Sequence, residues 1–231
     1  MIKVKIVKFF LELPLNRLIE KFSGLSGHNV QDNSFTLTEF NENSVSAVYV
    51  EKVVTRETVI DLQGRESEVE VVRFPRYEFQ LQKFGSDGFL LLVFNPPRSL
   101  KGLVEFLLKE VDGHVYFRES KISVDGFIEN AKSFDSVVGV RADKIKAKGI
   151  SISSSSYADV SVSSSVNAYV DLEEFLQEKN FKISSARLRV RTKFGSGRVE
   201  VSSTGLLGVD ESVFDEILAG FIKSSKDIVL A

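Results

Sequence analysis

The chain has 231 residues, 30 of them Lys or Arg and 32 Asp or Glu; at a net charge of −2 it is no polycation, so any contact with nucleic acid must come from local charge. It has no cysteine, which excludes disulfides, thiolate metal sites and cysteine nucleophiles and makes the cytoplasm the expected compartment. With 43% hydrophobic residues and 19 Phe it can bury a substantial core, and its charge content is not that of a disordered chain.

Residues 2–12 read as a strand in which Ile2, Val4 and Ile6 alternate with Lys3 and Lys5. A strand running into a helix is expected here rather than a leader, because Lys8 and Glu12 interrupt the apolar run and no small-residue cleavage site follows. No stretch approaches the roughly 18 apolar residues that span a bilayer, so no membrane partner is expected. Pro14 suits the first turn of a helix, and Leu15, Leu18, Ile19 and Phe22 then recur at helical spacing. Residues 24–34 are a loop by composition.

From Ser34 to Phe94 the chain is strand-rich, with β-branched and aromatic runs separated by turn signals. "FLLLVF" at 89–94 has no polar alternation and predicts a central strand covered on both faces. Pro96 and Pro97 end it, and Ser99 is placed to cap a helix with Leu100, Leu103, Val104, Leu107 and Val111 on one side. Beyond residues 111–114 the pattern is strand again, through "VYFRESKISV", "VVGVRADKIKAK", "ISISS" and "YADVSVSSSV". Asp171 with Glu174 forms a capping-box pattern that opens a helix with Leu172, Phe175 and Leu176 inward. A last helix is expected over about 211–224 with Val213, Phe214, Ile217, Leu218, Phe221 and Ile222 inward.

Strands and helices do not alternate one for one, which argues against a doubly wound parallel sheet. The expectation is an α+β fold of mainly antiparallel sheet with about four helices packed on one face. It divides into two strand-rich halves, 1–112 and 113–231, or forms one continuous domain.

The small net charge conceals a polarity. Residues 39–70 hold eight acids, Glu39, Glu42, Glu51, Glu57, Asp61, Glu66, Glu68 and Glu70, against Lys52, Arg56 and Arg65. The basic alternations lie in the second half. In "ARLRVRTK" the two-residue period of a strand puts Arg187, Arg189, Arg191 and Lys193 on one face and Leu188, Val190, Thr192 and Phe194 on the other. A hairpin loop of Gly195 to Arg198 would pair Phe194 with Val199 and Lys193 with Glu200. "RADKIKAKG" repeats the device with Lys144, Lys146 and Lys148, and the apolar phase flips at Gly149, where a bulge or strand break is expected. Cations at every second residue repeat at about 6.5–7 Å, comparable to the spacing of phosphates along a nucleic-acid strand. The rival reading is a solvated face whose charges pair with an acidic strand, and Glu66, Glu68 and Glu70 could supply one.

Little else points to chemistry. His28 lies in a polar loop and His114 in a turn. Asp112, Glu119 and Lys121 form a loose acid-x-Lys constellation of the kind that serves metal-dependent nucleases. Arg98, Ser99 and Lys101 stand where a helix begins and could meet an anion, but read more simply as a cap and solvated charges. The Ser-rich run 151–165 reads as a hairpin tipped near Ser154–Tyr157. No phosphate loop, dinucleotide fingerprint or HExxH is present.

The leading expectation is therefore a non-enzymatic, cofactor-free protein that binds nucleic acid or another polyanion through Arg187, Arg189, Arg191, Lys193, Lys144, Lys146 and Lys148, by backbone contacts without sequence specificity. The alternative is an adaptor or assembly subunit that docks protein partners or its own copies through acidic and basic faces. A metal-dependent nuclease ranks third.

Overall fold

The computed structural model describes the chain except residues 12, 28, 31–32, 86–87, 112–114, 154, 177–180 and 231. The first part runs β1 (Ile2–Leu11), α1 (Leu15–Leu25), β2 (Asn29–Val30), β3 (Asn33–Phe40), β4 (Ser44–Val50), β5 (Val53–Ile60), β6 (Glu66–Arg73), β7 (Arg76–Phe84), β8 (Gly88–Phe94) and α2 (Lys101–Glu110). The second runs β9 (Val115–Glu119), β10 (Lys121–Ile122), α3 (Val124–Ala131), β11 (Val137–Ser153), β12 (Ser156–Ser163) and α4 (Ala168–Leu176). It ends with β13 (Lys182–Thr192), β14 (Ser196–Ser202), β15 (Leu206–Val209), a 3-10 turn (Glu211–Val213), α5 (Phe214–Lys223), α6 (Ser225–Ile228) and β16 (Val229–Leu230).

One antiparallel sheet carries most of these strands, in the order β12-β11-β13-β14-β15-β1-β8-β7-β4-β3-β2. The outer edge of β1 is shared: β15 pairs with Ile2–Lys5 and β9 with Val7–Leu11. At the join, Ile6 N donates to Gly205 O. Gly205 has φ +79°, and a Cβ there would lie 2.7 Å from Ile6 O and 2.9 Å from Ser120 O, so only glycine fits the junction. β5 and β6 form a separate two-stranded hairpin, and β10 pairs with the distant β16 in another two-stranded sheet.

The fold is α+β and mainly antiparallel, as expected, but its helices do not pack on one face. Along β1, Val4 and Ile6 enter one core while Val7, Phe9 and Leu11 enter another. Along β8, Leu90 and Leu92 enter the first while Phe89, Leu91 and Val93 enter the second. Successive strand residues point to opposite sides, so the two cores lie on opposite faces of the sheet. α1 and α2 bring Leu18, Phe22, Leu103 and Leu107 to one face, over β3, β4, β7, β8 and β1. The helices after β9 bring Phe127, Ile128, Leu172, Ile217 and Phe221 to the other, over β1 and β11 to β15. The unbroken apolar run of β8 is the cause: a strand buried from Gly88 to Val93 needs cover on both sides. Six α-helices are present among the described residues, rather than about four.

Two of the differences are local. α3 is not among the expected helices and falls between the expected strands "VYFRESKISV" and "VVGVRADKIKAK"; Ser123 caps it, its Oγ accepting from Gly126 N at 3.0 Å, and Val124, Phe127, Ile128 and Ala131 are its buried face. α4 starts at Ala168, before Asp171, because Asn167 Oδ1 accepts from Tyr169 N at 3.2 Å. Its buried face is Ala168, Leu172 and Leu176, and Phe175 is exposed.

Candidate nucleic-acid interface

Because each helix layer covers only part of the sheet, the strands β11, β13, β14 and β15 keep one face open. On β13, Ile183, Ala186, Leu188, Val190 and Thr192 are buried, while Arg187, Arg189 and Arg191 turn outward. On β11, Ala142, Ile145 and Ala147 are buried. The register sets Arg141 opposite Arg189, Lys144 opposite Arg187 and Lys146 opposite Ser185, so these β11 side chains share the outward face. The face continues through Arg198 and Glu200 of β14, opposite Arg189 and Arg187, and through Gly208 of β15 to Lys3 of β1. Lys5, opposite Leu206, belongs to it as well.

The cations are partly tied down. Asp143 sits where the β11 register slips between Ala142 and Lys144, and its two oxygens accept from Arg141 Nη2 and Arg189 Nη2, each at 3.2 Å. Glu200 accepts from Arg187 Nε at 2.8 Å. Asp210 accepts from Arg198 N at 2.9 Å and Nε at 3.4 Å. The Arg198 backbone N–H, aided by its guanidinium, holds the Asp210 carboxyl below its ordinary range despite some opposing burial. Among the described residues, Lys144, Lys146 and Arg191 have no ion-pair partner. Lys144 and Arg187 stand directly opposite one another.

Near the middle of this face lies a shallow hollow of about 150 Å³. Ser185 and Ser202 keep it low, Lys3, Lys144, Arg187 and Glu200 stand around it, and the Met1 side chain lies over Gly208. Small residues flanked by cations let an anionic chain approach the backbone of the sheet.

The other sequence expectations fall as follows. Lys193 lies in the turn after β13, its N–H bonded to Ser136 O at 2.9 Å. Its expected pairing with Glu200 does not form; Glu200 pairs with Arg187, and Val199 with Leu188. Thr192 shortens the hairpin, its Oγ1 accepting from Phe194 N at 3.2 Å and Gly195 N at 3.1 Å, and Phe194 is left exposed at the tip. Lys148 is exposed opposite Lys182, beyond a further slip between Lys146 and Ala147. The expected irregularity at Gly149 is a register shift between Ala147 and Ile150, with φ +67° at Gly149 and the strand continuing.

Glu66, Glu68 and Glu70 pair with Ile60, Thr58 and Arg56 in the β5–β6 hairpin and not with β11 or β13. Glu119 and Lys121 are both exposed, at the end of β9 and the start of β10, on either side of buried Ser120. No group of three acidic or histidine residues suited to a metal occurs among the described residues. Ser99 stands two residues ahead of α2, where Leu100 and not Ser99 holds the N-cap position, and its Oγ accepts from Lys101 N at 3.2 Å. His28, His114, Asp112 and Ser154 lie outside the described residues.

Sequence reasoning did not assemble Arg141, Asp143, Arg198, Lys3 and Lys5 into this face. The signal for Lys3 and Lys5 was their alternation with Ile2, Val4 and Ile6, but which strand lay beside β1 could not be read locally. No protein-family model matches the chain, and no curated protein matches it in sequence. No helix among the described residues is long and apolar enough to cross a membrane.

Proposed function

We propose that the protein binds nucleic acid through the open face of β11, β13, β14, β15 and β1, by contacts to the phosphate backbone. The observation that carries this reading is the grouping on one uncovered face of Lys144, Lys146 and Arg191, which lack ion-pair partners among the described residues, with Arg141, Arg187, Arg189 and Arg198, whose guanidinium groups stay open to solvent beside their half-buried acid partners and can turn to phosphate. Like charges set side by side on neighbouring strands destabilise a sheet, and an anionic chain across them removes that penalty. On β13 the exposed aromatic side chain Phe194 lies at the hairpin tip and not between the arginines, which favours backbone contact over base stacking. The contacts carry no sequence information by themselves.

The test is titration of duplex and single-stranded DNA and RNA across ionic strength. The expected result is affinity that falls steeply with salt and is lost when Arg187, Arg189 and Arg191 all become Ala. Absence of binding at low salt overturns the reading, and binding that survives the triple substitution overturns the assignment of the face.

A second reading, docking between copies of the chain, draws on the β5–β6 hairpin. It exposes Val54, Val59, Ile60, Val69 and Val72 together with Glu66, Glu68 and Glu70. An acidic arm with uncovered apolar residues complements a basic face, and light scattering on the intact and arm-shortened protein tests it.

A further inference from the structure

A cleft of about 550 Å³ opens between the β9–β10 connection, the first turn of α3, the β14–β15 turn and the ends of β11 and β13. Three lysines from three different strands line it: Lys121, Lys148 and Lys182. Lys148 and Lys182 are direct cross-strand partners, an arrangement that is unfavourable unless an anion lies between them. The first turn of α3 enters the lining at Ser123, Val124 and Asp125, so the positive end of a helix dipole faces the same space.

The independent observation is Ser120. It lines the cleft, is fully buried, and its hydroxyl has no hydrogen-bond partner among the described residues. A buried hydroxyl without a partner is disfavoured by about 1–3 kcal/mol, so its retention points to a bonding partner not supplied by the protein.

We propose that this cleft binds a phosphoryl group, held by the Lys121, Lys148 and Lys182 ammonium groups with the Ser120 hydroxyl donating to one of its oxygens. The cleft shares Lys148 with the expected cationic set, but Lys121, Lys182 and Ser120 lie outside it and Arg187, Arg189 and Arg191 do not line the cleft. Two carboxylates, Glu119 and Asp125, share the lining. Burial is the main cause that raises the Asp125 carboxyl above its ordinary range, which moves it toward the neutral form and lessens its repulsion of an anion. A terminal phosphate of nucleic acid and a small phosphate ester share this chemistry.

The experiment is calorimetric titration of the full chain at low salt with inorganic phosphate, a nucleoside monophosphate, and short oligonucleotides with and without a terminal phosphate. Saturable binding of phosphate is expected, weakened at least about tenfold by Lys121→Ala with Lys182→Ala, and retained when Arg187, Arg189 and Arg191 become Ala. Ser120→Ala is expected to weaken binding several-fold without lowering the melting temperature. Tighter binding of the phosphorylated oligonucleotide than of its unphosphorylated form supports the site with a nucleic-acid end as its source, and tighter binding of the monophosphate than of phosphate supports it with a small ester. Any of three results overturns the proposal: no saturable phosphate binding, binding indifferent to the paired lysine substitution, or binding abolished by the open-face triple. Ser120→Ala that only raises the melting temperature and leaves affinity unchanged removes the hydroxyl from the site and overturns the proposal as stated. Failure of duplex and single strands to bind the open face leaves all these outcomes readable.

Discussion

Arg189 and Asp143 meet across β13 and β11, with Arg189 Nη2 donating to Asp143 Oδ2 at 3.2 Å. The other oxygen of the same carboxylate holds Arg141. One acid at a bulge therefore restrains two cations of the open face, beside Lys144. Asp143→Asn is expected to tighten duplex binding several-fold at low salt. It should steepen the logarithmic salt dependence by about one to two, since each added phosphate contact contributes roughly 0.9 to that slope. Fluorescence anisotropy titration at several salt concentrations reads both. An unchanged affinity would place the bound chain away from Arg141 and Arg189. The arginine partners are 42% and 60% exposed, so solvent screens both pairs and the effect on stability should be modest, about 1 kcal/mol.

Asp210 gives a pH-dependent counterpart. Its carboxylate accepts from the backbone and side chain of Arg198, and its own N–H donates to Arg198 O at 2.9 Å, fastening the end of β15 to β14. The folded protein holds this carboxyl below its ordinary value of 3.8, more firmly ionised than in the unfolded chain. A depressed carboxyl contributes stability that is complete above about pH 5 and is lost as the pH falls through the folded-state value. Asp210→Asn is therefore expected to lose about 1 kcal/mol at neutral pH, the size of a typical hydrogen bond. The gap between the variant and the parent should close on acidification, as urea denaturation at neutral pH and at about pH 2.5 would show. A gap that stays constant with pH would mean the carboxylate charge is not what Arg198 holds.

How far the sequence was legible depended on how local the cause was. "FLLLVF" announced a strand covered on both sides, and β8 is that strand, buried through Val93. The same fact implies helices on opposite faces, but that step needs the partner strands, which are 84 residues apart at the Val7–Leu91 pair and not visible in a local pattern. The Gly149 bulge was legible because a phase flip is written in the residues themselves. The Arg187–Arg191 alternation fixed one face of β13 for the same reason. α3 was missed because its eight residues include Gly126 and follow a β-like run, so the cap at Ser123 and the spacing of Val124, Phe127, Ile128 and Ala131 were its only marks. The partner of Glu200 was missed because Thr192 closes the hairpin with its side chain, a preference weaker than the Gly-Ser-Gly signal beside it.

The β5–β6 hairpin pairs only with itself, and no residue from 51 to 75 belongs to either core. Two-stranded hairpins are marginal in water, so this arm takes its order from the β4–β7 ladder at its base, where Val50 pairs with Arg76. Replacing residues 54–72 with Asn-Gly, which favours a tight hairpin turn, is expected to shift the melting temperature by no more than a few degrees. Nucleic-acid binding should be unchanged, because Glu66, Glu68 and Glu70 do not pair with the basic strands. A several-fold rise in affinity on removing the arm would instead show that it shields the open face in solution.

Gly205 is a close-packed joint in the sheet. It stands where β15 gives way to β9 along β1, with its carbonyl taking Ile6 N at 2.8 Å and φ at +79°. Ala at this position needs a left-handed backbone that side chains disfavour, and its Cβ would press on two carbonyl oxygens, Ile6 O and Ser120 O. Backbone cannot swing aside as the end of a flexible side chain can. Gly205→Ala should therefore lose about 1–3 kcal/mol, read by chemical denaturation. By contrast, Gly27→Ala, also at positive φ but with open space around the added carbon, should lose only the smaller conformational part. Equal losses in the two variants would mean that the contact with Ile6 and Ser120 contributes nothing, and that β9 and β15 are not wedged together at this glycine.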